Sequence, residues 1–359
     1  MLDIFNICSV GQCGCKIGWE FAKLGFSTCY INSDVVDMRD FGAPEDKILL
    51  LDTTGSGRSP AKGRAILEKH FDKFAAFMDK NLKPNSINLF IIGLGGGTGG
   101  GMALPAIEYA QKKGMKVGLL ATLPAKMSGM LDMDNAMRSL KELKDASINM
   151  FILSDNEHLM NTVGLSTEWW QKINYFILKK MAVIFDLLRE NKTSQAGIGS
   201  IDKGELLRVL QYGQGLLDVR DIYLSIPGEV ALTDEELKKR LFEPGLISGY
   251  KYSDTLFYIV NVDVPKQGGF TELAARIFST CKGSFGSALA RVGMFIDPNL
   301  DKAIRITIIT AGLKLPRVLR SRINNLKRDS DRYEVKKDKE DLLDFSSMDD
   351  IKIDDDFDF

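Results

Sequence analysis

Residues 93–101 read Gly-Leu-Gly-Gly-Gly-Thr-Gly-Gly-Gly, directly after the apolar run 87–92 and directly before the helix-like stretch Met102–Lys113. Adjacent glycines cost backbone entropy unless the chain needs positive φ there or must approach something closely. A strand, a glycine loop and a helix start together form an anion site. The unpaired N–H groups and the positive end of the helix dipole point the same way. A polyphosphate is the expected ligand.

The rest of the chain fits around that loop as an α/β protein. Apolar runs at 2–10, 28–31, 48–52, 87–92, 116–122 and 148–153 alternate with amphipathic stretches near 14–24, 61–80, 102–113, 130–144 and 169–190. Such alternation predicts a largely parallel sheet with helices on both faces. Trp169, Ile173, Phe176, Ile177, Met181, Ile184, Phe185 and Leu188 recur at close to helical spacing, on a stripe wide enough to face two neighbours. This long helix is expected to run between two units. Beyond it, 219–226, 256–264, 288–296 and 304–311 alternate like strands, with a helical stretch at 271–281, giving a second, smaller α/β unit. The expected division is 1–165 for nucleotide binding, 166–191 for the central helix, 192–313 for the second domain and 314–359 for a C-terminal helix and charged tail.

Composition narrows the classes. A formal net charge of −1 gives no general reason to expect nucleic-acid or membrane binding. The charge is segregated at the end, however: 314–339 holds ten basic residues against four acidic, and 340–359 holds nine acidic residues against Lys352. The Asp-rich end reads as a solvated tail. Arg317, Arg320 and Arg322 read as an extending helix, and a docking role for the segment is the sharper alternative to simple solubility. Cys8, Cys13, Cys15, Cys29 and Cys281 are odd in number and read as reduced thiols. Cys13-x-Cys15 lacks the second pair or histidine that would complete a metal site. No apolar run reaches the ~18 residues of a membrane span, and the chain starts with a strand rather than a leader, so a cytoplasmic protein is expected.

A second glycine cluster, Gly11-Gln12-Cys13-Gly14-Cys15-Lys16-Ile17-Gly18, follows the first strand. It is neither a dinucleotide G-x-G-x-x-G nor a P-loop. Two glycine loops after two parallel strands can instead grip a polyphosphate from both sides. This pair, GQCGCKIG and then GGGTGGG, resembles the tubulin/FtsZ superfamily. The resemblance continues through Asn32-Ser33-Asp34 and through Thr54-Gly55-Ser56-Gly57-Arg58-Ser59-Pro60, which is similar to the loop that senses the γ-phosphate. It covers the first half closely and the second mainly by its order of elements.

The resemblance implies a GTP/GDP site with Mg²⁺. Gly11, Gln12, Cys13, Gly14, Gly55, Ser56, Gly57, Gly95, Gly96, Gly97, Thr98, Gly99 and Gly100 would face the phosphates, and Asp34 would sit in the outer shell of the metal. Asn156, in Asp155-Asn156-Glu157, and the pair Trp170 and Asn174 would meet the base. Four-residue spacing puts the indole and amide of that pair on one helix face; Trp170 as a core tryptophan beside Trp169 is the plainer alternative. Where FtsZ has an acidic residue and an arginine near the ribose, this chain has Ser128 and Asp132. Asp202 and Glu205, in 200–207, match the acidic positions of a loop that completes the neighbouring subunit's site, so that hydrolysis would depend on polymerisation. Asp202 is also a natural N-cap for a helix beginning near Lys203, with Glu205 at the capping-box position, and the two roles are compatible.

The resemblance thus implies a GTPase that assembles head to tail into filaments. Within the superfamily, the tubulin-like first loop, the short chain and the divergent ribose segment resemble the TubZ partitioning proteins of plasmids and phages, the clostridial phage form included. That branch implies cargo DNA held through a TubR-type adaptor on a centromere-like site, with 314–359 as the docking segment and no membrane partner. An FtsZ-like division scaffold is the alternative. A non-polymerising regulator or a dinucleotide enzyme lacks a matching constellation.

Overall fold

The computed structural model describes residues 2–38, 42–52, 54–164, 166–187, 193–194, 199, 201–213, 215–226 and 228–326. Its first half is the expected alternation: β1 (Phe5–Val10), α1 (Gly11–Lys23), β2 (Thr28–Asn32), β3 (Ile48–Leu50), α2 (Pro60–Lys69), α3 (Phe71–Asn81), β4 (Ile87–Gly93), α4 (Gly97–Lys112), β5 (Lys116–Leu123), α5 (Met130–Leu143), β6 (Met150–Asp155) and α6 (Asn156–Val163). The six strands form one parallel sheet in the order β3-β2-β1-β4-β5-β6. Strand order reverses between β1 and β4. Loops leaving the carboxyl ends of two such strands diverge and open a crevice.

The sequence reading differs here in two places. The stretch 61–80 is two helices, α2 and α3, broken at His70, whose φ of −114° and ψ of 28° leave the helical region. Both glycine segments also begin their helices earlier than expected, at Gly11 and Gly97.

The central helix α7 (Trp169–Asp186) leads to β7 (Thr193–Ser194), α8 (Lys203–Leu210), β8 (Leu216–Ser225), α9 (Asp234–Leu241), β9 (Phe257–Val264), α10 (Thr271–Phe285), β10 (Leu289–Ile296) and β11 (Ala303–Leu313). These strands form a second, mixed sheet, β7-β10-β9-β11-β8, in which β9 and β10 are parallel and β11 runs against both of its neighbours. A final helix, α11 at 317–326, follows Pro316. The charged tail beyond it, 327–359, and Ser200 of the acidic loop lie outside the described residues.

The wide apolar stripe of α7 explains how the two sheets share a core. Ile177, Met181 and Ile184 are fully buried in one cluster with Ile7, Leu89 and Ile91 of the first sheet and Val219, Ile259 and Ile309 of the second. Each such side chain contributes about 1.5–3 kcal/mol on burial, so three on one helix hold it firmly against both sheets. On the opposite face of the first sheet, Leu319 and Ile323 of α11 join the other large cluster. No helix among the described residues is long and apolar enough to cross a membrane.

Candidate functional site

At the reversal point, α1 and α4 begin directly after the adjacent strands β1 and β4. Their first residues line one cleft of about 440 Å³, with Gly11, Gln12 and Cys13 on one side and Gly96, Gly97, Thr98 and Gly99 on the other. Neither helix has a side chain capping its N-terminus: Val10 and Gly96 occupy the N-cap positions without a cap hydrogen bond. The orphan N–H groups of two helix starts are thereby left for a ligand. With both dipoles aimed into the cleft, an anion with oxygens on two sides is the complementary occupant.

The glycines serve close approach rather than left-handed backbone. Across 93–101 none has positive φ; in these two segments only Gly11, at +72°, does. A Cβ on Gly11 would lie 2.8 Å from the Gly99 nitrogen, so the two loops touch through their backbones. On Gly97 it would overlap the Ser56 hydroxyl, and on Gly101 the Pro60 carbonyl, where α2 packs on α4. Gly14, Gly95 and Gly100, expected at the phosphates, do not line the cleft. Gly14 packs against the Ile91 carbonyl of β4, Gly95 against Asp132, and Gly100 against Ser139 and the Leu94 carbonyl. Their absent side chains let α1, α4 and α5 seat closely.

Hydroxyls and carboxylates furnish the walls. Thr98 Oγ1 lies 2.6 Å from Ser33 Oγ and 3.1 Å from Ser56 Oγ. Gly55, Ser56 and Gly57 line the cleft as expected, together with Asp34. The Asp34 carboxylate accepts from Val36 N at 2.9 Å. Cys13, also on the wall, is held above its usual pKa by burial, so its neutral thiol adds no charge against an anion. Asp37 is a cleft residue that sequence reasoning missed. It accepts from Gln12 Nε2 at 2.6 Å and Asn32 Nδ2 at 3.3 Å, and burial, with the nearby Asp34 charge, raises its pKa. Arg58 and Asp132 close the far wall as an ion pair at 3.5 Å, and Asp132 Oδ1 is buried without a hydrogen-bond partner among the described residues. Ser128 lies in a single-turn helix at Lys126–Ser128 and does not line the cleft. Among the described residues no three His, Cys, Asp or Glu side chains converge to hold a metal by themselves. Mg²⁺ suits that: it keeps several waters and binds phosphate oxygens with one or two protein oxygens, which Asp34 and the Ser56 and Thr98 hydroxyls provide in kind.

Of the residues expected at the base, Trp170 lines a groove that shares Asp37 with this cleft. Trp170 is 38% exposed at the start of α7, whereas Trp169 is the partner that packs against the core. Asn174, one turn on, is buried. Asn156 opens α6, and its Oδ1 is buried with no hydrogen-bond partner among the described residues. None of the three lines the phosphate cleft itself.

Asp202 and Glu205 are elsewhere, at the N-terminus of α8 and outside the cleft of their own chain. They form a full capping box: Asp202 Oδ1 accepts from Glu205 N at 2.8 Å, and Glu205 Oε2 accepts from Asp202 N at 3.3 Å. Glu205 is also bonded to Arg291 Nε at 2.6 Å, a pairing its sequence position gives no hint of. Asp202 is exposed.

Comparison with known proteins agrees with this geometry. The GTPase domain of the Tubulin/FtsZ family matches residues 5–164. The tubulin-like protein CetZ of Pyrococcus abyssi is 23% identical over 327 residues, 86% of this chain and 85% of its own. Among solved structures, TubZ of Bacillus thuringiensis serovar israelensis, in a GTPγS-form protofilament, superposes with a TM-score of 0.77 at 17% identity, covering 93% of this chain and 94% of its own. CetZ2 of Haloferax volcanii, also a GTPγS-bound protofilament, gives 0.74 at 18% identity over 92% and 99% of the two chains. Residues 5–164 match the GTPase domain of the Tubulin/FtsZ family, and the chain as a whole has the Tubulin/FtsZ fold.

Proposed function

We propose that this protein binds GTP in the cleft between α1 and α4 and hydrolyses it at the junction between subunits of a head-to-tail filament. In this reading 1–165 holds the nucleotide, 166–191 carries the connecting helix α7 and 192–313 brings the activating loop. Backbone N–H groups of both helix starts and the Thr98 hydroxyl hold the phosphates, with Mg²⁺ adding charge neutralisation at the phosphate oxygens. Asn156 and Asn174 take the edge of the base, and Trp170 takes its face.

The observation that carries the proposal is the position of Asp202: an exposed carboxylate on the second unit, outside the cleft of its own chain. A carboxylate orients an attacking water only within hydrogen-bond reach of it. A neighbouring subunit stacked on the cleft supplies that reach. Glu205, already engaged by Arg291 and by the Asp202 backbone, fixes the loop on which Asp202 stands. The protofilaments formed by the TubZ and CetZ2 relatives support the stacked arrangement.

The cargo is a finer question. DNA partition through a TubR-type adaptor has the charge pattern of 314–359 as its support, and the Pyrococcus abyssi relative, a CetZ, adds none. The central reading is tested by measuring phosphate release and light scattering together across protein concentration, with GTP, ATP or no nucleotide. Release per subunit should rise steeply where GTP-dependent scattering begins. Turnover per subunit that is independent of concentration would remove the shared site.

A further inference from the structure

A second opening adjoins the phosphate cleft. It is a groove of about 640 Å³ between α1 and α7, lined by Lys16, Trp170, Tyr175, Glu20 and Asp37, and Asp37 belongs to both cavities. Helix α1 spans the two. Gln12 lines the cleft and Lys16, four residues on, lines the groove about 6 Å further along the axis. The Lys16 ammonium stands over the Trp170 ring, 4.6 Å from its centroid. Of the groove's carboxylates, Glu20 pairs with Lys23 at 2.8 Å, and Asp37, near enough to feel the Lys16 charge, is hydrogen-bonded by Gln12 and Asn32. Among the described residues no carboxylate lies within ion-pair distance of Lys16. The half-buried cation is thus in close contact with an aromatic face and only at longer range with a carboxylate, and a flat ligand entering the groove can take over the aromatic contact.

We infer that Lys16 is a specificity residue for the guanine base. It holds the Trp170 face until a purine stacks there, then donates to the acceptors on that purine's edge. This rests on the reading that the cleft takes GTP. The chemistry selects guanine: an ammonium has donors only, guanine presents O6 and N7 as adjacent acceptors, and adenine replaces O6 with an amino donor. Adenine keeps N7 but sets an amino donor beside it, so the displaced cation loses one acceptor and meets a donor in its place, which is unfavourable.

The test is competition by GTP, ITP and ATP against a fluorescently labelled GTP, on the full chain. ITP keeps O6 and N7 but lacks the 2-amino group, so it isolates the edge assigned to Lys16 from the edge available to the asparagines. Lys16→Met keeps the apolar stem without charge or donors. It should lower the preference for GTP over ATP, and for ITP over ATP, by about tenfold or more, the scale of a hydrogen bond to a charged group. Lys16→Arg should retain both preferences, because a guanidinium also bonds O6 and N7, and its retained binding shows that the site is folded. An equal weakening of all three nucleotides in Lys16→Met would make Lys16 a general phosphate attractant and overturn the inference, as would unchanged ratios. Wild-type protein that holds GTP and ATP alike would overturn the GTP reading itself; a wild-type preference that survives Lys16→Met overturns the part given to Lys16 alone.

Discussion

Replacing Asp202 by asparagine separates the two roles this side chain can have. As an N-cap its Oδ1 accepts from Glu205 N at 2.8 Å, and an asparagine oxygen makes the same bond. Asn and Asp cap equally well, so Asp202→Asn should change stability by no more than about 0.5 kcal/mol, whereas Asp202→Ala should cost about 1 kcal/mol. Catalysis orders the variants differently. Loss of a positioned general base lowers a rate by about 10²–10⁴, or ~2.7–5.4 kcal/mol of barrier, and the amide loses it as completely as alanine does. The assay is initial phosphate release at saturating GTP, normalised to the sedimented protein, alongside urea midpoints for wild type and both variants. The expected pattern is two similarly slow enzymes of unequal stability, both assembling. Near-normal hydrolysis by Asp202→Asn would leave Asp202 as a cap alone. A rate that falls only in step with the sedimented fraction would assign it to subunit contact rather than to water.

Two further substitutions probe the cleft. Gly14→Ala adds a methyl group that would overlap the Ile91 carbonyl, pushing α1 off β4; overpacking of this kind costs about 1–3 kcal/mol, and GTP affinity should fall with the urea midpoint because Gly11–Cys13 ride on the same helix. A normal midpoint would show that α1 can shift freely. Asp37→Asn addresses a carboxyl whose pKa is raised by burial and the nearby Asp34 charge. A raised carboxylate favours the folded state below its unfolded pKa and loses that contribution as pH rises through the folded value. The amide does not ionise but leaves one acceptor for the two donors Gln12 and Asn32, so the gap in stability between variant and wild type should move in the amide's favour as pH rises through the raised value and shrink back on acidification. A gap that widens on acidification would contradict the assigned cause.

Much of this site is legible in the sequence because its signal is local. Strand, glycines and helix follow one another within fifteen residues at both 5–18 and 87–101, and local order is what a linear reading captures. The purpose of each glycine is not local. Gly97 and Gly101 meet Ser56, Ser59 and Pro60 of the segment leading into α2, and Gly99 meets the carbonyls of Gly93 and Val10. Such demands come from packing partners and leave no positive φ to betray them. Trp169 and Trp170 make the same point, since adjacent identical residues on a helix differ by about 100° in direction and only the neighbours decide which one faces the core. Asp37 and Arg291 escaped for a related reason: each belongs to an unremarkable stretch and is brought to Gln12 or Glu205 by the fold. The break at His70 has neither Gly nor Pro to announce it.

The same packing gives the start of α7, where the base is proposed to bind, a mechanical connection to the second sheet. Trp170 and Asn174 stand at the start of α7, and Asp186 ends it, about 24 Å further along by helical rise. Asp186 is bonded to Arg305 of β11 at 2.6 Å, and Arg305 also bonds Asp221 of β8 at 2.6 Å. Burial alone would lower the pKa of this arginine, but the two carboxylates more than offset it and keep the guanidinium charged. A charge so enclosed resists separation from its partners, because breaking one contact leaves a desolvated ion behind. The helix that carries Trp170 is thus fixed at its far end by ion pairs and along its length by Ile177, Met181 and Ile184. A displacement of the second sheet therefore has a stiff route to the groove where Lys16 and Trp170 meet.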